Sequence, residues 1–270
     1  MPDGIWAVVP AAGIGSRFAS AGKTPKQYFS IGGKSVLEHT LGVLCANPKI
    51  AGVMLALDAN DAHWPKISQL NGKPICVCVG GATRAESVRS ALEMLLQMGV
   101  AAKTLVAVHD AARPCLRAAD LAAVISAALN DAVGAVLAVP VRDTVKRCDQ
   151  QLRVLDTLDR SQIWAAQTPQ IFRLGPLAQA IAQFPAATDE SQAMENAGLQ
   201  PKLVAGRASN IKITVHDDLA LAAFYLSLAT SDTAGMSLAT SDAAEMSLAM
   251  SDTAEMSRAI SDTANTGFSQ

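Results

Sequence analysis

A chain of 270 residues that is half hydrophobic is long enough for one large domain, or for one domain with an appendage. Its formal net charge of -2 supplies no broad basic surface and excludes a general nucleic-acid binder, so any anion binding must be local. No apolar run reaches transmembrane length, the start MPDGIW lacks the pattern of a secretory leader, and the five cysteines show no paired metal spacing, which points to a cytoplasmic protein with buried thiols.

In chain order, GIWAVVP, GVMLAL, PICVCV, TLVAVHD and GAVLAVPV read as strands that are apolar on both faces, the pattern of a sheet covered on each side. Between them SVLEHTLGVLCA, RAESVRSALEMLLQMG and RAADLAAVISAALND repeat apolar residues at three- and four-residue steps, as helices do. The β-α-β-α order predicts an α/β fold of three layers: a doubly wound, mostly parallel sheet with right-handed crossovers. Residues 142–170 break the pattern. They are polar, strand-like in pieces and without a long helix, and are expected to form an arm that leaves the sheet. The α/β pattern resumes with LGPLAQAIAQF, TDESQAMENAG, the strand-like KLVAGRASNIKIT and a last helix DDLALAAFYLSLA.

From Ser227 four copies of a ten-residue unit follow, beginning with SLATSDTAGM. Ten helical residues advance about 1,000°, roughly 80° short of three turns, so no continuous apolar stripe forms. The expected organisation is a domain over 1–226 and a disordered or weakly helical tail over 227–270.

Two stretches carry chemistry. Ligands in open α/β sheets bind beyond the carboxyl ends of strands. The first strand runs there into Ala11, Ala12, Gly13 and Gly15, small residues whose backbone amides can converge on phosphate oxygens. The loop is neither the dinucleotide fingerprint nor a Walker A loop. Arg17, Lys23 and Lys26 follow it, and Lys26 after Pro25 is the better positioned lysine, Lys23 being read as solvent-facing. The second stretch is VHDAARP, where Asp110 at a strand end is a natural Mg²⁺ ligand or a turn cap. Arg113 can pair with Asp110 or reach a phosphate, and His109 reads as structural.

The motifs PAAGIGSRF, PKQY, GGATRAESV, VHDAARP, PVRDTVK, TLDRSQIWAAQTPQIF, TDESQAMENAG and NIKIT stand in the order found in one family. Over about residues 4–226 the chain resembles the 2-C-methyl-D-erythritol 4-phosphate cytidylyltransferases of the non-mevalonate isoprenoid pathway. The resemblance implies a Rossmann-like nucleotidyltransferase that uses CTP with Mg²⁺ or another divalent cation and dimerises through the arm. It implies that Ala11, Ala12, Gly13 and Gly15 wrap the CTP phosphates, and that Gly81, Ala82 and Ser87 receive cytosine and ribose. Arg17, Lys26, Arg160 and Lys212 would be the catalytic cations. Asp110 would sit near the metal and the sugar phosphate. Arg113, Thr144, Arg160, Thr168 and Lys212 would surround the methylerythritol phosphate, some from a second subunit. A cytidylyltransferase for another polyol phosphate, such as ribitol 5-phosphate, and a catalytically dead nucleotide-binding module are the alternatives. Neither nucleic acid nor membrane is an expected partner.

Overall fold

The computed structural model describes residues 4–13 and 24–228. The chain divides into two units, Met1–Ala223 and Phe224–Gln270. Gly15, Arg17, Lys23 and the repeats of the tail lie outside the described residues.

Twelve strands are described: β1 (Ile5–Pro10), β2 (Ser30–Ile31), β3 (Lys34–Ser35), β4 (Ile50–Leu57), β5 (Gln69–Leu70), β6 (Lys73–Val79), β7 (Leu105–Val108), β8 (Gly134–Pro140), β9 (Val145–Cys148), β10 (Val154–Leu158), β11 (Trp164–Arg173) and β12 (Lys202–Ala205). The helices are α1 (Val36–Ala46), α2 (Arg84–Gln97), α3 (Ala118–Leu129), α4 (Leu174–Gln183) and α5 (Glu190–Asn196). Residues 218–223 are also helical and close the first unit; residues 224–228, the described part of the second, are helical too.

Eight strands form the central sheet in the order β12-β8-β11-β7-β1-β4-β6-β5. β1 pairs in parallel with β4 on one side and β7 on the other, so the winding reverses at β1. A switch point of this kind opens a crevice at the carboxyl ends of the strands, here beyond Pro10, Leu57 and Val108. Alternation along β1 serves the two faces. Ile5, Ala7 and Val9 join a core with Leu37, Leu41 and Leu44 of α1 and Leu121, Val124 and Ile125 of α3. Trp6 and Val8 join the opposite core with Val88, Leu92 and Leu95 of α2 and Leu174, Leu177 and Ile181 of α4. Each fully buried aliphatic side chain contributes about 1.5–3 kcal/mol.

Two expectations change. The polar excursion ends earlier than residue 170, because Trp164–Arg173 is the longest strand of the central sheet. β11 runs antiparallel to both β7 and β8. What protrudes is the antiparallel hairpin β9–β10 and a 3₁₀ turn at Arg160–Gln162. Three exposed residues at its start, Trp164–Ala166, concealed a strand whose following stretch, Gln167–Phe172, is buried. The second change concerns Lys212: residues 211–214 are not in a strand, although Ile213 donates its N–H to the Ala112 carbonyl at 2.8 Å.

Candidate active site

Three carboxyl-edge loops meet at the switch point. The first, leaving β1, holds Ala11, Ala12 and Gly13. The second follows β6 as Gly80-Gly81-Ala82 and ends in α2, whose N-cap Thr83 and Glu86 form a reciprocal capping box. Glycine is required there by close approach. A Cβ on Gly80 would lie 2.5 Å from the Ala12 Cβ, and one on Gly81 would lie 2.2 Å from the Glu86 Cβ. The Ser87 hydroxyl accepts from Gly81 N–H at 3.1 Å and donates to the Thr83 carbonyl at 2.9 Å, so it shapes this loop from within. The third loop leaves β7 at His109 and Asp110.

Two clefts flank Asp110, each of 140 Å³. The first is lined by Ala11, Ala12, Gly13, Lys26, Gly81, Ala82, Ser87 and Lys212. The second is lined by Arg113, Thr168, Gln170, Thr188 and Lys212. Asp110, Arg84 and Lys212 belong to both. Every predicted site residue within the described part of the chain lines one of these clefts except Thr144 and Arg160. Those two are exposed on the hairpin segment, where Arg160 Nη1 donates to the Arg142 carbonyl. On the same segment Asp156 pairs with Arg147 at 2.6 Å.

Asp110 is ringed by cations. Arg84 Nε lies 2.7 Å from its Oδ1, and Lys212 Nζ lies 2.9 Å and Arg113 Nε 3.4 Å from its Oδ2. Burial alone would raise the carboxyl pKa, but Arg84, Lys212 and Arg113 outweigh it and hold Asp110 well below the usual carboxylate range. Arg84 makes the second half of this network. Its Nη1 and Nη2 donate to the two oxygens of Glu190 at 2.7 and 2.9 Å, a bidentate pair at the start of α5. Burial lowers the affinity of Arg84 for its proton, but Glu190 and Asp110 overcome that and keep the guanidinium charged.

Behind Asp110 lies a buried relay of neutral groups. His109 Nε2 faces the Arg113 carbonyl at 3.2 Å, an acceptor only, so this nitrogen carries the hydrogen. Nδ1 is therefore the acceptor for the Thr168 hydroxyl at 2.9 Å, and the same oxygen accepts Asp110 N–H at 3.1 Å. Complete burial pushes the imidazole pKa down to about 4. The hydrogen of Thr168 is thus committed to His109, and Thr168 can offer a ligand only an acceptor. Arg113 Nη1 donates to the Asn210 carbonyl at 2.7 Å, and Asn210 Nδ2 to the Thr168 carbonyl at 2.9 Å, which ties this group to the segment carrying Lys212.

Lys26 reaches the same segment from the other side, donating from Nζ to the Ile213 carbonyl at 2.9 Å. Burial would raise the pKa of nearby Asp218, but the Thr214 and Val215 amides and the Thr214 hydroxyl outweigh it, with a smaller contribution from Lys26, and hold the carboxyl below its usual range. Among the described residues no cluster of three or more His, Cys, Asp or Glu side chains can hold a metal by itself. A single ionised carboxylate beside clefts lined by cations and amides suits Mg²⁺, which takes one or two carboxylates and completes its shell with phosphate and water. Both Asp110 oxygens are paired with Arg84, Lys212 and Arg113, so such an ion would take the place of one of these cations once a phosphate is present.

Sequence reasoning passed over Arg84, Glu190, Thr188, Gln27 and Gln170. One signal was available. An arginine in the first turn of a helix opposes the macrodipole. Its presence at the head of α2 calls for carboxylate partners, and Asp110 and Glu190 supply them.

The chain matches a family model described as IspD, 2-C-methyl-D-erythritol 4-phosphate cytidylyltransferase, over residues 5–228. It is 45% identical over 218 residues to the protein of that name from Pseudomonas fluorescens (strain Pf0-1), covering 79% of this chain and 92% of the relative. With the Stenotrophomonas maltophilia (strain K279a) protein of the same name it shares 46% identity over 231 residues, 84% of this chain and 98% of the relative. A crystal structure of 4-diphosphocytidyl-2C-methyl-D-erythritol synthase superposes with a TM-score of 0.72 at 38% identity, covering 83% of this chain and 100% of the other. The Francisella tularensis cytidylyltransferase structure gives a TM-score of 0.69 at 34% identity, covering 82% and 99%. The arrangement of motifs, clefts and sheet in this chain places it in one group: it belongs to the 2-C-methyl-D-erythritol 4-phosphate cytidylyltransferase family.

Proposed function

We infer that the enzyme transfers CMP from CTP to 2-C-methyl-D-erythritol 4-phosphate in non-mevalonate isoprenoid synthesis, with CTP in the first cleft and the acceptor in the second. The observation that carries the placement is the junction of the two clefts at Asp110, with Lys26 in one and Arg113 in the other. An acceptor phosphate oxygen forms a bond to the α-phosphorus while the bond to the bridging oxygen breaks, giving 4-diphosphocytidyl-2-C-methyl-D-erythritol and pyrophosphate.

The attacking phosphate is anionic near neutral pH, so no strong general base is needed. The work is to hold two polyanions in line and to offset charge at phosphorus. In this reading the amides of Ala12 and Gly13 cradle the triphosphate together with Gly15 and Arg17. Gly81 and Ala82 receive cytidine on a loop that Ser87 fixes. Lys26 faces the developing charge, and Arg113 and Lys212 hold the acceptor phosphate. Thr168 accepts from an acceptor hydroxyl or only orients Asp110. Asp110 would hold Mg²⁺ or another divalent cation, which when bound neutralises phosphate charge.

The reading includes a homodimer formed through the hairpin, with Thr144 and Arg160 completing the acceptor cleft of the second subunit. Support comes from the hairpin surface, where Leu152 is 83% exposed and Val154 and Leu155 are each 61% exposed. Cytoplasmic placement belongs to the same reading and rests on the free thiols of all five cysteines. No described helix is long and apolar enough to cross a membrane.

The test is pyrophosphate release by the purified protein with CTP, Mg²⁺ and one acceptor at a time. Release is expected with 2-C-methyl-D-erythritol 4-phosphate. Release with ribitol 5-phosphate instead would reassign the acceptor, and release with neither would leave the chain a binding module.

A further inference from the structure

Three consecutive side chains of one short turn beside the first cleft reach three different segments of the chain. Lys26–Tyr28 is a 3₁₀ turn. At three residues per turn its side chains leave the axis about 120° apart. Lys26 Nζ donates to the Ile213 carbonyl at 2.9 Å, Gln27 Nε2 to the Ala11 carbonyl at 2.8 Å, and Tyr28 Oη to Asp61 Oδ2 at 2.7 Å. Gln27 is the buried one of the three, only 3% exposed.

We propose that Gln27 is a positioning residue for the phosphate loop: its amide sets the Ala11–Ala12 peptide and fixes that peptide relative to Lys26. The inference rests on the first cleft being the CTP site. The Ala11 N–H donates to the Ala56 carbonyl at 2.8 Å, which carries the β1–β4 ladder one residue past the end of β1. Beyond it the ladder stops, and Gln27 takes the Ala11 carbonyl. Because a carbonyl only accepts, the nitrogen of the Gln27 amide must face it.

A trans peptide is planar, with its C=O and N–H antiparallel. Holding the Ala11 carbonyl against Gln27 therefore turns the Ala12 N–H to the opposite side of that peptide. Ala12 and Gly13 line the first cleft, and the Ala12 N–H donates to no acceptor among the described residues. Gln27 is bonded to Lys26 through one peptide, so the same turn that orients the amide also carries the cation. A triphosphate needs both, at one separation. Gln27 acts through these two groups and is not itself a catalytic residue.

Gln27→Met keeps the length and volume but leaves the buried Ala11 carbonyl without a donor, and the peptide is then free to turn. Gln27→Glu sets an oxygen against that carbonyl. CTP and cytidine are titrated separately into full-length wild type and each variant, and KM for the acceptor is measured in parallel. Both variants are expected to weaken CTP at least tenfold while cytidine affinity and the acceptor KM stay within twofold. The CTP-to-cytidine affinity ratio does not depend on how much of the sample is folded, so a less stable variant still reports. An unchanged ratio in both variants overturns the proposal. Wild type that binds no CTP would instead remove the assignment of the cleft.

Discussion

The cleft around Asp110 and the protruding hairpin use charge in opposite ways. At Asp110 most of the ionic partners come from distant parts of the chain: Arg84 from α2, Lys212 from the segment before the last helix and, through Arg84, Glu190 from α5, while Arg113 lies three residues on in the same loop. Arg84 is 26% exposed and Glu190 2%. On the hairpin the pair Arg147–Asp156 lies across two neighbouring strands and is 64% and 41% exposed, a geometry that contributes about 0–1 kcal/mol. The first region is set before any ligand arrives. The second pairs its polar groups only with one another and leaves Leu152, Val154 and Leu155 exposed among the described residues. In the proposed homodimer one half of the site is fixed within the chain, and the hairpin supplies the other.

Removing the hairpin tests that division most severely. Val141 N–H donates to the Ile163 carbonyl, so a short turn can replace residues 143–161 and leave β8 and β11 paired. The product is expected to sediment as a monomer, to bind CTP and to lose turnover. A monomeric wild type with full activity would break the comparison.

Within the fixed half, Lys26→Ala is expected to lower kcat by about 10²-fold while the fold survives, measured by single-turnover kinetics and circular dichroism. Near-normal turnover would leave Lys26 a structural role, as in its bond to the Ile213 carbonyl.

The buried relay also predicts a pH dependence of stability. In the unfolded chain a histidine takes up its proton near pH 6.5, but burial holds His109 near 4 in the folded protein. Between these values the unfolded state binds more protons, so stability falls as the pH drops and this loss levels off below about pH 4, at about 3 kcal/mol. Urea titrations from pH 7 to 4 should show the slope, and His109→Gln should reduce it by one proton. An unchanged slope in that variant would remove His109 as its source.

The smallest effect is expected from the tail. Truncation after Ala229 should leave CTP binding, association and turnover within twofold of wild type, by the same assays. A loss of activity would show that the repeats have a structural role.

Much of this was legible in the sequence, for physical reasons. Strands apolar on both faces announced a covered sheet, and β1, β4, β6, β7 and β8 were read within a few residues of their ends. The small residues after β1 and the Asp at the end of β7 were legible because a strand's carboxyl edge is where open sheets bind ligands. β11 was not, because exposed Trp164, Ala165 and Ala166 lead into Gln167, Thr168 and Gln170, polar residues that are buried only because each finds a partner across the chain. Pairing of that range leaves no local pattern. Glu190 was missed for a related reason. An acidic residue in the first turn of a helix is ordinary, and only the three-dimensional structure brings Arg84 to it. Gln27 showed no signal at all, since a polar residue two places after a proline reads as solvated.

The antiparallel course of β11 bears on how the chain is made. β1, β4, β6, β5 and β7 find sheet neighbours among themselves, so this half of the sheet can be paired once residue 108 has been synthesised. β8 cannot join it. Its neighbours are β11 and β12, both made later, and β11 alone bridges it to β7. While residues 141–163 emerge, β8 is an apolar strand with two open edges, the form of chain most prone to pair with another copy. The polar hairpin made next is thus the segment beside that strand during the interval; synthesis of β11 through Arg173 closes one edge, and β12 later closes the other.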